Sequence, residues 1–309
     1  MCEITVRANG KINLSLNITG TQGGMHLLDS ITASVDIADV VRVRFDRSGM
    51  ARVRFAPLAD VSAFASFDPH AVGENNSAAA AMRLLQKSDP CLGADIAVYK
   101  GIPVAGGLGG SSADAAAVLY AAHKAMPERF GLNALLDACV AIGSDVPVLL
   151  CGGGLRMRGV GDVLTSAPVP VLHLAIAHGE KGVTSREAYA RFDALYPQKS
   201  LYASDTDALV AALAAGDVAR IASHTGNALA RAACALCPEM EKTLCALGDT
   251  RALATFVTGS GNCCCGLYAR EEEAKSAAES LRRRGFAATA ARTVPYGVTT
   301  EQESGQNNG

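Results

Sequence analysis

Neither sign of charge dominates this sequence. Its 28 Lys and Arg stand against 30 Asp and Glu, a formal net charge of −2. A basic field that would draw nucleic acid or acidic lipid is therefore missing, and neither is expected as a partner. No apolar run approaches the ~20 residues of a membrane helix. The opening "MCEITVRANG" also lacks the apolar core of an export signal. The expectation is a cytoplasmic protein acting on a small molecule, with its oligomeric state left open. No short-period repeat appears.

A metal framework is lacking as well, although there are 10 cysteines. Cys234 and Cys237 form a C-x-x-C, and Cys263, Cys264 and Cys265 are consecutive. A zinc site needs a second spaced pair or nearby histidines, and neither accompanies them. The C-x-x-C falls inside "NALARAACALCPEMEKTL", which reads as one helix. The expectation is reduced, buried thiols and no protein-bound metal.

What is present suits one large or two ordinary domains: 309 residues, 49% hydrophobic and 19% charged. Strands and helices alternate along the chain. "KINLSLNIT" puts Ile12, Leu14, Leu16 and Ile18 on one face at period two, which predicts a half-buried strand. "SITASVDIADVVRVRF" and "ARVRF" continue as strands around the turn signal "DRSGM". "NNSAAAAMRLLQK" opens on an Asn/Ser cap and predicts a helix. "ADIAVYKGIPV" is a strand running into a glycine turn, and "ADAAAVLYAAHKAM" is the helix leaving it. "LNALLDACVAIG" predicts a further helix. A second set follows: "VLHLAIAH" as strand, helices from about 184 to 248, "ALATFVTG" and "NCCCGLYA" as strands, and "REEEAKSAAESLRRRG" as helix. The proline-flanked "TSAPVPV" is the best boundary, which divides the chain at 1–167 and 168–298. Residues 299–309 are polar and predict a disordered tail.

The stretch "PVAGGLGGSSADAAA" at 103–117 carries the chemistry. A helix start has unpaired N–H groups and the positive end of the dipole, so it attracts anions. Glycines let backbone N–H groups approach a phosphate, and the Ser111 and Ser112 hydroxyls can bond phosphate oxygens or assist Mg²⁺. A Walker A loop needs a lysine after the glycines, and none follows. A dinucleotide fingerprint needs a third glycine where Ser112 stands. Both familiar loops fail.

The pattern P-x-x-x-G-L-G-x-S-S-A resembles that of the GHMP small-molecule kinases. Further blocks occur in that family's order, from "GKINLSLNITG" and "GMHLLDSITASVDIADVV" through "ENNSAAAAMRLL", "IGSDVPVLLCGGGLRMRGVGD" and "GVTSREAY" to "TGSGNCCCGLY". The G-x-H after the first strand and "GSDVPVLLCGG" resemble the branch that phosphorylates the 2-hydroxyl of a cytidine-diphosphate-linked methylerythritol, in isoprenoid precursor synthesis. The resemblance implies a two-domain α+β fold with its active site in the cleft between domains, and ATP with Mg²⁺ as cofactors. It places the phosphates on Pro103, Ala105, Gly106, Gly107, Leu108, Gly109, Gly110, Ser111, Ser112 and Ala113. Adenine-side contacts fall on Asn76 and Lys100. Asn13, Met25, His26, Thr184 and Tyr189 belong to the acceptor pocket.

Asp145 interrupts an apolar segment, where an unpaired carboxylate is costly, so a cation should lie close. It is the candidate base, and Lys11 is the partner that the family pattern supplies. The reading of Asp145 as a simple helix cap stays open on the residues alone. Two positions depart from the family. Met25 stands where the branch has a base-stacking tyrosine, and Ser111-Ser112-Ala113 stands where many members have Gly-Ser-Ser. Another alcohol kinase of the superfamily, of homoserine or mevalonate type, is the alternative reading. A catalytically silent ligand-binding protein is a third, and the pair Lys11 and Asp145 argues against it.

Overall fold

A computed structural model describes residues 3–58, 64, 75–179 and 181–300. The chain begins as a long hairpin, β1 (Glu3–Gln22) and β2 (Met25–Asp46), closed by Gly23 and Gly24 with φ of +59° and +81°. β3 (Ala51–Pro57), α1 (Ser77–Gln86) and β4 (Gly93–Lys100) follow. After the glycine turn come α2 (Gly110–Ala125), α3 (Leu132–Cys139), α4 (Asp145–Cys151), β5 (Gly154–Gly159) and β6 (Val163–Ser166). The second half runs β7 (His173–His178), α5 (Ser185–Leu195), α6 (Thr206–Ala215), α7 (Val218–Ser223), β8 (Gly226–Asn227), α8 (Ala230–Leu236) and α9 (Glu239–Gly248). It ends with β9 (Ala254–Val257), β10 (Cys263–Tyr268), α10 (Glu271–Arg283), β11 (Ala287–Val294) and β12 (Val298–Thr300).

The strands form one continuous path, β12-β1-β2-β11-β7-β10-β9, with β3, β4, β5, β6 and β8 branching from it. β11 is the joint. Residues 287–292 pair with β7 of the second half, whereas Thr293 and Val294 pair with Val35 and Ser34 of β2. Helices cover the sheet in both halves, giving the mixed two-domain α/β architecture expected from the sequence. α2 can lie deep in the first half because its inward residues are mostly alanine: Ala113, Ala115, Ala116, Ala117, Ala121 and Ala122 are all fully buried. An α-helix that is apolar on every side belongs inside the core rather than on it.

Three local expectations change. β1 is buried on both faces, since Asn13, Ser15 and Asn17 are covered as fully as Ile12 and Leu14. The polar alternates are sealed by second-half backbone and side chains: the Asn13 N–H donates to Thr258 Oγ1, and Asn17 holds Ala203, Ser204 and Thr206. The single helix expected around the C-x-x-C is two helices. Cys237 leaves helical geometry at φ −135° and ψ 84°, directly before Pro238, which cannot continue the ladder and pushes its predecessor into extended backbone. The ordered chain also runs past 298, because Thr299 and Thr300 pair with Arg7 and Val6 in β1. The rest of the expected tail, 301–309, lies outside the described residues.

No helix among the described residues is long and apolar enough to cross a membrane. No disulfide joins the cysteines from Cys91 to Cys265, and burial pushes the Cys263, Cys264 and Cys265 thiols up. No group of three His, Cys, Asp or Glu side chains suited to a metal occurs among the described residues.

Candidate active site

The glycine turn rests on β1. The Lys11 N–H donates to Leu108 O at 2.9 Å, and a Cβ on Gly10 would come within 3.1 Å of that same carbonyl oxygen. Gly109 caps α2 with a left-handed backbone, φ +77°, and supplies no side-chain cap to the first turn. No acidic residue lies in that first turn either. The helix therefore presents bare N–H groups and an uncompensated positive end to whatever lies in front of it.

In front of it is a cavity of about 700 Å³. Pro103, Ala105, Gly106 and Gly107 form one wall, and Gly109, Gly110, Ser111 and Ser112 continue it. Asn76, Lys100, Lys11, Asp145 and Thr184 line it as well. Leu108 and Ala113 are buried beneath the wall and support it.

Two of the glycines are required by the protein itself. A Cβ on Gly107 would lie 2.3 Å from Thr258 O, and one on Gly106 would lie 2.7 Å from Cys263 Sγ. A Cβ on Gly261 would strike the Gly107 nitrogen at 2.2 Å, and one on Gly182 would strike the Ala105 methyl at 2.6 Å. The 258–261 turn and the 182 backbone thus press the loop from the second half, backbone against backbone. The Cys263 N–H reinforces this by donating to Gly106 O.

Lys11 and Asp145 meet on the wall of this cavity. Lys11 Nζ lies 3.5 Å from Asp145 Oδ2, with the lysine side chain 6% exposed and the aspartate 32%. Asp145 is the first residue of α4 and Ser144 is the cap, so Asp145 does not cap the helix; its charge faces the positive end of α4. The lysine ammonium also donates to Asn13 Oδ1 at 2.8 Å. Asn13 Nδ2 donates in turn to Ser30 Oγ, which donates to Ser15 O. Both ends of the Asn13 amide are therefore used inside the protein. Through its oxygen it orients Lys11, while one amide N–H and one oxygen lone pair are left over from these bonds.

Met25, His26 and Tyr189 lie at the tip of the β1–β2 hairpin, apart from the residues that line the cavity, whereas Thr184 is among the latter. His26 stacks on Tyr189 with centroids 4.7 Å apart, meets Phe192 edge-on, and its Nε2 lies 2.7 Å from Asp193 Oδ1. Burial works against the Asp193 charge, but His26 and then Lys199 hold its carboxyl below the usual range. Burial, aided by the charge of Asp145, pushes the Tyr189 phenol up. Met25 is 57% exposed at the hairpin tip. The Thr184 hydroxyl is taken by a capping box: Thr184 Oγ1 bonds Glu187, and Glu187 bonds the Thr184 N–H. Its neighbour Ser185, which the sequence reading passed over, lies with Oγ 2.7 Å from Ser260 Oγ, and both line the cavity.

Of the two residues expected on the adenine side, Asn76 caps α1, its Oδ1 accepting from the Ala79 N–H. Lys100 is 4% exposed and donates to Asp39 Oδ2 and, at 2.9 Å, to Asp114 Oδ2. Burial pulls its ammonium down, but Asp114 and Asp39 outweigh that and lift it to about 12. Two of its three N–H donors go to these carboxylates, and Lys100 still lines the cavity. Burial pushes Asp114 well above the usual carboxylate range.

Comparison with known proteins accords with this geometry. Residues 76–153 match the GHMP kinases N terminal domain, and residues 209–287 match the GHMP kinases C terminal domain. The 4-diphosphocytidyl-2-C-methyl-D-erythritol kinase of Pelotomaculum thermopropionicum is 34% identical over 91% of this chain and 94% of its own length. That of Thermobifida fusca is 36% identical over 93% and 94%. A crystal structure of 4-(cytidine 5'-diphospho)-2C-methyl-D-erythritol kinase superposes with a TM-score of 0.76 at 27% identity, covering 94% of this chain and 98% of that one. Homoserine kinase from Cytophaga hutchinsonii shares the fold, with a TM-score of 0.69 at 21% identity and coverage of 96% and 97%. The chain belongs to the GHMP kinases, on the side of that superfamily where the 4-diphosphocytidyl-2-C-methyl-D-erythritol kinases lie.

Proposed function

We propose that this kinase transfers the γ-phosphoryl group of ATP to the 2-hydroxyl of 4-diphosphocytidyl-2-C-methyl-D-erythritol. The observation that carries the reading is the Lys11–Asp145 pair, 3.5 Å apart, on the wall of the cavity that the α2 N-terminus faces. A phosphoryl acceptor needs a proton acceptor beside its hydroxyl and a cation beside the developing charge, and this pair offers both. Asp145 takes the proton as the hydroxyl oxygen bonds to phosphorus and the bond to the ADP oxygen breaks. Lys11, buried and oriented by Asn13, lies beside the carboxylate and faces the transferred group.

The start of α2 fits a polyphosphate, since its cap residue Gly109 offers no side chain to the first-turn N–H groups. MgATP supplies the phosphoryl group, and the ion's usual ligands in such sites are phosphate oxygens and water with few protein groups. Ser111 and Ser112 are the hydroxyls that would assist there.

A second reading, a kinase of another small alcohol, is favoured by Met25. An exposed thioether stands where the resemblance calls for an aromatic ring, and His26 already covers Tyr189. One assay separates the two. ADP release is measured with the cytidine-linked methylerythritol and with homoserine, mevalonate and galactose. Turnover of the first alone supports the proposal, and turnover of another alcohol in its place overturns it.

A further inference from the structure

Beneath the glycine turn lies a charged cluster of Asp39, Lys100 and Asp114, of which Asp39 belongs to no motif singled out above. Asp39, in β2, is fully buried. One carboxylate oxygen accepts the N–H groups of Gly101 and Ile102 at 2.7 and 2.9 Å. The other accepts from Lys100 Nζ, which also donates to Asp114 Oδ2 at 2.9 Å. Gly101 and Ile102 lead into the glycine turn, and Asp114 follows Ser111 and Ser112 in the first turns of α2.

We propose that Asp39 is a positioning residue for the nucleotide site. A single carboxylate fixes both ends of the 103–109 loop: the approach directly, and the helix through Lys100. The second half presses the middle of the loop at Ala105, Gly106 and Gly107, so the loop is held at three places by protein groups alone. A phosphate cradle works when its N–H groups are already aimed, because the ligand then does not have to order them. The cluster carries two buried carboxylates on one ammonium, a costly arrangement for stability alone. Its bonds run to the loop and to α2, which is where a nucleotide-positioning role requires them. Asp39→Asn tests the linkage sharply. An amide in that place can face the Gly101 and Ile102 N–H groups with its oxygen or face Lys100 with it, but not both. One side always opposes donor to donor.

This inference rests on the ATP reading above. The experiment is calorimetric titration of MgADP into the full chain, wild type and Asp39→Asn, with steady-state KM measured for ATP and for the acceptor. The expected result is an MgADP Kd raised about tenfold or more, as loop misplacement causes, with a similar rise in KM for ATP. The acceptor KM should stay within about twofold. Asp114→Asn weakens only the helix side of the linkage. It should give a smaller change selective for ATP, and it decides the matter if Asp39→Asn does not fold. A folded variant that binds MgADP as wild type does, or that loses both substrates equally, overturns the positioning role. If wild-type chain takes up no MgADP, the ATP reading itself falls and this inference falls with it.

Discussion

Lys11 Nζ stands 3.5 Å from Asp145 Oδ2 and 2.8 Å from Asn13 Oδ1, so a buried ammonium is shared between a catalytic candidate and a buried amide that orients it. The lysine comes from β1 and the aspartate from the first turn of α4. Only packing of α4 beside β1 and α2 brings them together.

Asp145→Asn should lower single-turnover phosphoryl transfer by about 10²–10⁴-fold, the usual contribution of a positioned base. Lys11→Ala should lose a similar factor. The double variant should lose far less than the product of the two, because the residues act as one unit. Rapid-quench measurement on variants checked by circular dichroism reads this directly. A folded Asp145→Asn enzyme with near-normal turnover removes the base assignment.

Asn13→Ala should remove the acceptor of the Lys11 hydrogen bond and leave the partners of its amide unmet. We expect kcat to fall about tenfold or more, from a misaimed lysine. The acceptor KM should change much less. A rise confined to the acceptor KM would instead return Asn13 to the substrate-contact role expected from the sequence.

Contact between the second half and the glycine turn predicts a suppressor pair. Gly182→Ala puts a methyl 2.6 Å from the Ala105 methyl, and Ala105 already holds a left-handed φ of +54°. The single variant should raise KM for ATP and lower Tm. Ala105→Gly removes the opposing methyl and accepts the positive φ without strain, so the double variant should recover most of both losses. Independent, additive effects would show that the two loops do not press on each other.

Acid stability should depend on Asp95, away from the site. Hydrogen bonds from Arg52 and Arg44 hold its carboxyl down to about 2, from an ordinary value of 3.8. A depressed folded-state pKa stabilises the protein above the unfolded-state value, and that stability is lost as pH falls from about 4 toward 2. Arg44→Ala with Arg52→Ala should therefore lower stability at pH 7 slightly and leave less to lose below pH 4. Urea unfolding midpoints at pH 7 and at pH 3 test it. An unchanged difference between the two pH values would remove the linkage. The effect should be small and sensitive to salt, because the arginines are exposed.

Gly107→Ala should fail where a purely ligand-driven glycine would not. Its Cβ meets Thr258 O at 2.3 Å and its φ is +81°, so a loss of about 2–3 kcal/mol in ligand-free stability is expected. Thermal unfolding without nucleotide measures it. An unchanged Tm would mean that the glycine serves the phosphates alone.

Much of this protein is local and was therefore readable from its residues. Asn76 caps α1, as the Asn/Ser cap in its sequence indicates, and alternation of Ile12, Leu14, Leu16 and Ile18 marks a strand, because caps and periodicities depend on neighbours a few positions apart. Spacing within 103–114 likewise marks a glycine turn and the helix start that follows it. Tertiary structure decided what each polar group faces. Asn13 turns inward to Lys11, Lys100 spends its charge on Asp39 and Asp114, Thr184 closes a capping box, and Ser185 reaches Ser260. It also decided why Gly106 and Gly107 lack side chains, since the atoms they avoid belong to residues 258–263. A hydrogen bond between distant residues leaves no period in the sequence. It exists only once β11 joins the two sheets and brings the second half onto the first.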